Sequence, residues 1–314
     1  MEQRNRIAVV GSANMDVVIP VHRFPHTGET ILGGDLGLFP GGKGANQACA
    51  AARLGGAVSF IAQIGSDPFG SALTGSLRAA GVDTEHVGTA SRPTGCASIY
   101  VLPGGENTIV VSPGANATLD AATALSRLGS IAHAGFVLSQ LEIPLDTVEM
   151  VLAAARARGA VTILDPAPAR ELPDRVLRSV DYLTPNQSEA AILLGRPSWV
   201  IESFADAEEA ASGLLRLGVS TVVMKLGALG CLLAAAGVRR CIDGHRVSAI
   251  DTTAAGDAFN GAFAAALAEG KPPFEAAEFA NGAAAISVTR RGAQISLPCR
   301  DEVLKLLEMS TLAG

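Results

Sequence analysis

The feature that most constrains this chain is a set of short apolar runs that do not alternate. Residues 136–139, 161–164 and 221–225 read Phe-Val-Leu-Ser, Val-Thr-Ile-Leu and Thr-Val-Val-Met-Lys. A strand with one wet face alternates apolar and polar side chains, so an unbroken run belongs to a strand covered on both faces. The run at 182–184 has the same character, and 7–10 and 58–64 also read as strands. Between the runs lie stretches of helical spacing, near 44–54, 67–80, 146–157, 186–194 and 205–217. Strands alternating with helices predict an α/β fold with a doubly wound, mainly parallel sheet flanked by helices. Ligands of such a sheet sit at the carboxyl ends of its strands. Segments 15–20 and 29–39 read as short strands of a small sheet or lid, and the stretch after 255 reads as mainly helical. Without a linker or low-complexity segment, the economical reading is one domain, 1–314, with a small β insertion.

The length of 314 residues allows a sizeable core. The 35 glycines beside only 4% aromatics suit a backbone that approaches ligands closely. A net charge of −6 argues against a nucleic-acid partner bound by phosphate neutralisation. The five cysteines are odd in number and contain no Cys-x-x-Cys pair, which favours thiols in a reducing compartment over a disulfide framework or zinc site. The five histidines lack metal-ligand spacing. No signal-peptide core and no apolar run near the ~18 residues of a membrane span occurs, so the expectation is a cytoplasmic protein without a membrane partner.

Four segments carry chemistry. The first runs from Gly37 through Gly41-Gly42-Lys43-Gly44 to Asn46. It falls one residue short of a phosphate-binding loop, because Gly44 stands where a magnesium-ligating hydroxyl belongs. A backbone open to a polar ligand remains, and so does the plainer reading of a glycine-rich turn that starts a helix. In the second segment, Asn14 and Asp16 lie two apart on an extended stretch and point the same way. They present an amide and a carboxylate to vicinal hydroxyls, or are simply polar residues at a strand end. The third, Asp251-Thr-Thr-Ala-Ala255-Gly256-Asp257, opens a helix whose free amides and dipole suit a transferring phosphate. Asp257 is there as a base, or merely to stabilise the helix N-terminus; the dipole alone would depress its pKa. In the fourth, Asn186 and Glu189 fit a helix capping box, and equally a pair that positions phosphate and, through water, magnesium.

Together these segments resemble the ribokinase (PfkB-type) family of carbohydrate and nucleoside kinases. Gly41-Gly-Lys-Gly-Ala-Asn-Gln-Ala is similar to its N-terminal signature, Asp251-Thr-Thr-Ala-Ala-Gly-Asp257 to its C-terminal one, and Asn186-x-x-Glu189 to its magnesium and phosphate motif. Gln140-Leu-Glu142-Ile-Pro, the run starting Asp165-Pro-Ala-Pro and the stretch 288–296 lie nearest the ribose-specific branch. The likeness covers almost the whole chain. It implies a parallel α/β sheet with a β lid from segments within 12–40 and 94–112, lids commonly pairing as homodimers. It also implies ATP-dependent phosphorylation of D-ribose at the 5-hydroxyl, with Mg2+ and a monovalent cation, usually K+. Asn14, Asp16, Gly42, Lys43, Asn46 and Glu142 would bind the sugar, with Asp257 on the accepting hydroxyl. Asn186, Glu189, Lys225, Gly227 and Asn281 would line the ATP site, and Ala255, Gly256 and Asp257 would form the anion hole. The K+ site would use carbonyls of Asp251, Thr253, Ser287, Arg290 and Gly292 plus the Ser296 hydroxyl.

Two residues depart from the pattern. Lys225 stands where some members carry Thr, and Ala13 is smaller than usual, which leaves 2-deoxyribose or another pentose open. A nucleoside kinase finds little aromatic stacking surface, and a non-catalytic sugar-binding regulator has no need of an intact Asp257, Asn186 and Glu189. A dinucleotide-dependent oxidoreductase lacks its Gly-x-Gly-x-x-Gly fingerprint.

Overall fold

The computed structural model describes residues 5–313. In chain order the strands are β1 (Arg6–Val10), β2 (Asn14–Pro20), β3 (Gly37–Gly41), β4 (Val58–Gly65), β5 (Val87–Ala90), β6 (Gly95–Val101) and β7 (Asn107–Ser112). They continue with β8 (Ala134–Ser139), β9 (Val161–Leu164), β10 (Tyr182–Leu183), β11 (Thr221–Lys225), β12 (Gly230–Ala235) and β13 (Val238–Asp243). The helices are α1 (Lys43–Arg53), α2 (Pro68–Ala79), α3 (Ala121–Ser130), α4 (Leu145–Ala157), α5 (Asp174–Leu177), α6 (Gln187–Leu193), α7 (Phe204–Arg216), α8 (Ala255–Ala268), α9 (Pro273–Ser287) and α10 (Arg300–Ala313).

Nine strands form one sheet in the order β13-β12-β11-β10-β9-β8-β1-β4-β5. All its pairs are parallel except β11–β12 and β12–β13, which are antiparallel. The doubly wound, mainly parallel sheet read from the sequence is therefore present. Its central strands are buried on both sides, and β1 shows how. Ile7 and Val9 belong to the core layer with α1, α8 and α9, whereas Ala8 and Val10 belong to the opposite layer with α3, α4 and α7. A side-chain period of two deals successive residues to opposite faces, and apolar helices cover each.

The other sheet has four strands in the order β3-β2-β6-β7. Here the sequence reading needs correction. A strand was expected over 29–39, but the extended pairing covers only Gly37–Gly41, and residues 21–36 are irregular. Gly33, Gly34 and Gly37 interrupt this stretch, and glycine has no side chain to pack on a pleated surface. The antiparallel edge β12–β13 was missed: β13, Val-Arg-Arg-Cys-Ile-Asp, is mostly exposed and carries no core pattern, whereas β12, Gly-Cys-Leu-Leu-Ala-Ala, is buried and its apolar run was passed over.

One packing detail places the site. α1 and α8 are built of small residues and lie against each other: a Cβ on Gly261 would stand 2.5 Å from the Ala50 side chain and 2.6 Å from the Gln47 carbonyl. Helices meet this closely only where side chains are small. The approach sets the polar residues at the start of α1 beside those at the start of α8.

Candidate active site

Because the central strands run parallel, their carboxyl ends share one edge of the sheet. β1 leads through Ser12 into Asn14, β8 into Gln140 and Glu142, β9 into Asp165, β10 into Asn186, and β11 ends on Lys225. β3 reaches the same edge. Gly42 has φ +87°, and a Cβ on it would stand 2.6 Å from the Asn14 amide nitrogen, so only glycine turns the chain there into α1. That turn makes Lys43 the first residue of α1.

Glu142 organises one side of the site. Its Oε2 accepts from the Ser12 hydroxyl at 2.5 Å, the Lys43 backbone N–H at 3.0 Å and Asn14 Nδ2 at 3.5 Å. Asn14 Oδ1 in turn accepts from Asn116 Nδ2 at 2.7 Å. Asp16 is largely buried, and its carboxyl is pushed up to about 7 by that burial and by the negative charges of Glu142 and Asp257. These groups form a set of donors and acceptors fit for a polyol.

Asp257 lies at the centre, third residue of α8 and 4% exposed. Ala254, just before the helix, is left-handed at φ +58°, which curls the backbone so that the first-turn amides of α8 face the site. Asp257 Oδ2 accepts from Asn46 Nδ2 and Oδ1 from Gln47 Nε2, both at 2.9 Å. Burial pushes its carboxyl above the usual range, and nearby Asp165 adds to this. The Lys43 ammonium and the two amide donors oppose the rise. The balance is opposite to that expected from the helix dipole alone, because the cost of desolvating a charge exceeds the dipole's effect. Burial by itself would lower Lys43, yet Asp257, Asp165, Glu142 and Glu189 outweigh it and hold the ammonium above its ordinary value.

A cleft of about 1070 Å³ opens from Lys43 and Asp257. Asn186, Glu189, Lys225, Gly227, Ala255, Gly256 and Asn281 all line it, whereas Asn14, Asp16, Gly42, Asn46 and Glu142 do not. Lys225 Nζ pairs with Asp165 at 2.9 Å. Asn186 caps α6, with Glu189 bonded back to its N–H at 2.7 Å, so the capping box is real and its members still face the cleft. Burial, with Asp165 nearby, raises the Glu189 carboxyl against the pull of Lys225, the Asn186 N–H and Lys43.

The six residues expected at a K+ site lie beside the cleft without lining it. Ile250 N–H and Asp251 N–H reach the Val288 carbonyl at 2.7 and 3.2 Å, and Asp251 Oδ2 accepts from Gly292 N–H at 2.8 Å. Thr253 bonds Asp251 through its N–H and hydroxyl, and the Ser296 hydroxyl donates to Ala293. Ser287 closes α9, and the Arg290 side chain pairs outward with Glu302. Two residues central to the network had no role in the sequence reading: Gln47 and Asp165. Both lie in stretches quoted for their family likeness, but only the fold brings them to the network, Gln47 through the α1–α8 packing and Asp165 at the carboxyl end of β9.

Residues 4–300 match the family model described as pfkB family carbohydrate kinase. The chain belongs to that family. A ribokinase of Haemophilus influenzae is 45% identical, covering 97% of this chain and 99% of that one. The crystal structure of a Thermotoga maritima ribokinase shares 41% identity at a TM-score of 0.87, covering 96% of this chain and 99% of the other. An Arabidopsis thaliana ribokinase complexed with ribose and ATP is 35% identical at a TM-score of 0.89, covering 96% and 98%. In this carbohydrate kinase Asp257 lines the cleft and is bonded by Asn46 and Gln47 from α1.

Proposed function

We propose that this kinase transfers the γ-phosphoryl group of ATP to the 5-hydroxyl of D-ribose, giving ribose 5-phosphate and ADP. The observation that carries the reading is Asp257 itself. It is a buried carboxylate gripped on both oxygens, standing between a polyol-sized polar set and a nucleotide-sized cleft. The ribokinases similar in sequence and fold, one of them complexed with ribose and ATP, support the choice of substrates.

Asn14, Asp16, Lys43, Asn46 and Glu142 hold the sugar with Gly42 as its close backbone wall, leaving the 5-hydroxyl against Asp257. Asp257 accepts the hydroxyl proton as the sugar oxygen bonds to the γ-phosphorus and the bond to ADP breaks. A carboxyl raised by burial is a better base than a solvated one. The amides of Ala255 and Gly256, at the positive end of α8, face the charge that develops on the phosphoryl oxygens. Lys225 and Lys43 add positive charge beside them, and Asn186, Gly227 and Asn281 hold the nucleotide.

The carboxylates of Asp165 and Glu189 in a phosphate-binding cleft fit a hard divalent cation. Mg2+ held there by Glu189 through water would neutralise phosphate charge. Segments 251–253 and 287–296, which are bonded to each other beside the cleft, would offer K+ the carbonyls of Asp251, Thr253, Ser287, Arg290 and Gly292. The smaller sheet acts as a lid over the sugar. Its exposed apolar residues Leu38, Phe39, Ile109, Val110 and Val111 pair with those of a second copy. The test is ATP turnover by the purified protein with D-ribose, 2-deoxyribose, fructose or adenosine, with Mg2+ and with or without K+. Ribose-dependent turnover supports the reading; turnover confined to another acceptor overturns the substrate while leaving the kinase.

A further inference from the structure

We infer that Gln47 is a positioning residue for this reaction: its side-chain amide fixes the Asp257 carboxylate and ties it to the Asp165–Lys225 ion pair on the nucleotide side. The inference rests on the reading of Asp257 as the base.

Gln47 is wholly buried on α1, and both protons of its Nε2 are committed. One goes to Asp257 Oδ1 and the other to Asp165 Oδ2, each at 2.9 Å. Its Oε1 accepts from Gln140 Nε2 at 2.6 Å, which settles the orientation of the amide. A flipped amide would aim a carbonyl oxygen at two carboxylates. Gln140 is itself immobilised, fully buried with its Oε1 pressed over Gly11, where a Cβ would stand only 2.1 Å away. The chain Gln140–Gln47–Asp257 therefore runs from the end of β8 through α1 to α8 without a solvent-exposed link.

The residue type follows from the charges. Asp165 and Asp257 repel each other across a buried space, and a group between them must donate to both. A lysine there would add a third ammonium close to the base, whereas a primary amide supplies two donors with no charge. Each Asp257 oxygen accepts one amide proton, Oδ1 from Gln47 and Oδ2 from Asn46, and keeps its remaining lone-pair capacity for the sugar hydroxyl. Without Gln47 the carboxylate is held on one side only and turns away from its line to the acceptor. Misplacement of a reacting group by ~1 Å costs about 100-fold in rate.

The experiment compares Gln47→Met, Gln140→Met and Asp257→Asn with the unaltered protein. Methionine keeps the length of the side chain and removes its hydrogen bonds. For Gln47→Met we expect kcat to fall by about 30-fold, within the range for a displaced catalytic group. The KM values for ribose and ATP stay within about twofold, since only a transition-state interaction is lost. The acidic limb of the kcat–pH profile moves to higher pH, because Asp257 loses a donor that favours its ionised form. Gln140→Met, which touches no substrate, moves kcat and the limb in the same direction by a smaller amount. Thermal unfolding and calorimetric ribose binding establish that each variant is folded. Full turnover by Asp257→Asn overturns the base and the inference with it. Loss of turnover there, with kcat and the acidic limb unmoved in folded Gln47→Met, overturns the positioning role alone. So does a kcat loss matched by rising KM with no movement of the limb.

Discussion

In the larger sheet Val9, Val10, Val137, Val222 and Val223 have no exposed surface, whereas every residue of β7 in the smaller sheet is exposed. The two sheets share a chain and a composition but differ in what covers them. Helices close both faces of the nine-stranded sheet. In the smaller sheet Leu38, Phe39, Ile109, Val110 and Val111 remain open. The comparison teaches a division: helices on both faces bury the larger sheet, whereas the smaller sheet keeps apolar side chains exposed on its two outer strands, β3 and β7.

The sharpest way to break that division is at the catalytic edge. Asp257→Asn should lower kcat about 1000-fold, the scale of a lost general base, while ribose affinity measured by calorimetry stays nearly unchanged. Full turnover by this variant would remove Asp257 from the mechanism.

Next come paired substitutions in the two sheets. Phe60→Ala, in the core of the larger sheet, should cost ~3–5 kcal/mol in denaturant unfolding, the loss of a buried aromatic ring. Val110→Lys in the smaller sheet should change protomer stability by no more than ~0.5 kcal/mol, as an exposed substitution does. Light scattering should nonetheless show it shifting a dimer toward monomer. A dimer that persists in Val110→Lys would place its interface elsewhere.

A smaller effect joins the two regions at Asp16, which sits on a strand of the smaller sheet and feels charges from the larger one. Its carboxyl titrates at about 7 in the folded protein against an ordinary 3.8. The folded state therefore binds more protons than the unfolded state between those values. Stability falls as pH rises from about 4 to about 7. Ribose hydroxyls donate best to the ionised form, so KM for ribose should drop several-fold as pH rises through about 7. Asp16→Asn should flatten both profiles. A ribose KM independent of pH between 6 and 8 in the unaltered protein would remove Asp16 from the sugar contacts.

The smallest effect concerns the segments beside the cleft. Exchanging K+ for a bulky organic cation should lower kcat a few-fold, and Ser296→Ala should weaken the response to K+. Equal rates in both salts would set aside the cation site.

Much of this was legible in the sequence, because the relevant physics is local. Unalternating runs such as Val161–Leu164 identify strands buried on both faces, and these are the strands found. Asn186 and Glu189 three apart form the capping box they spell, and both also line the cleft. The stretch 29–39 was read poorly for the same local reason in reverse. Its apolar residues suggest a strand, and its glycines leave too few side chains to hold one. The edge strand β13 escaped because an exposed edge strand has no hydrophobic pattern to betray it.

The sequence by itself determined the alternation of strands and helices, the glycine at position 42 that turns the chain into α1, and the small residues of α1 and α8. Those follow from backbone sterics and hydrophobic period, which each segment carries alone. The tertiary structure decided how the charges meet. Gln47 and Asp257 are 210 positions apart, and Asp165 and Lys225 are 60 apart. Their distances, the raised carboxyl of Asp257 and the reinforced charge of Lys43 exist only once folding buries these groups beside one another. Desolvation and pairing act through space, and no spacing along the chain encodes them.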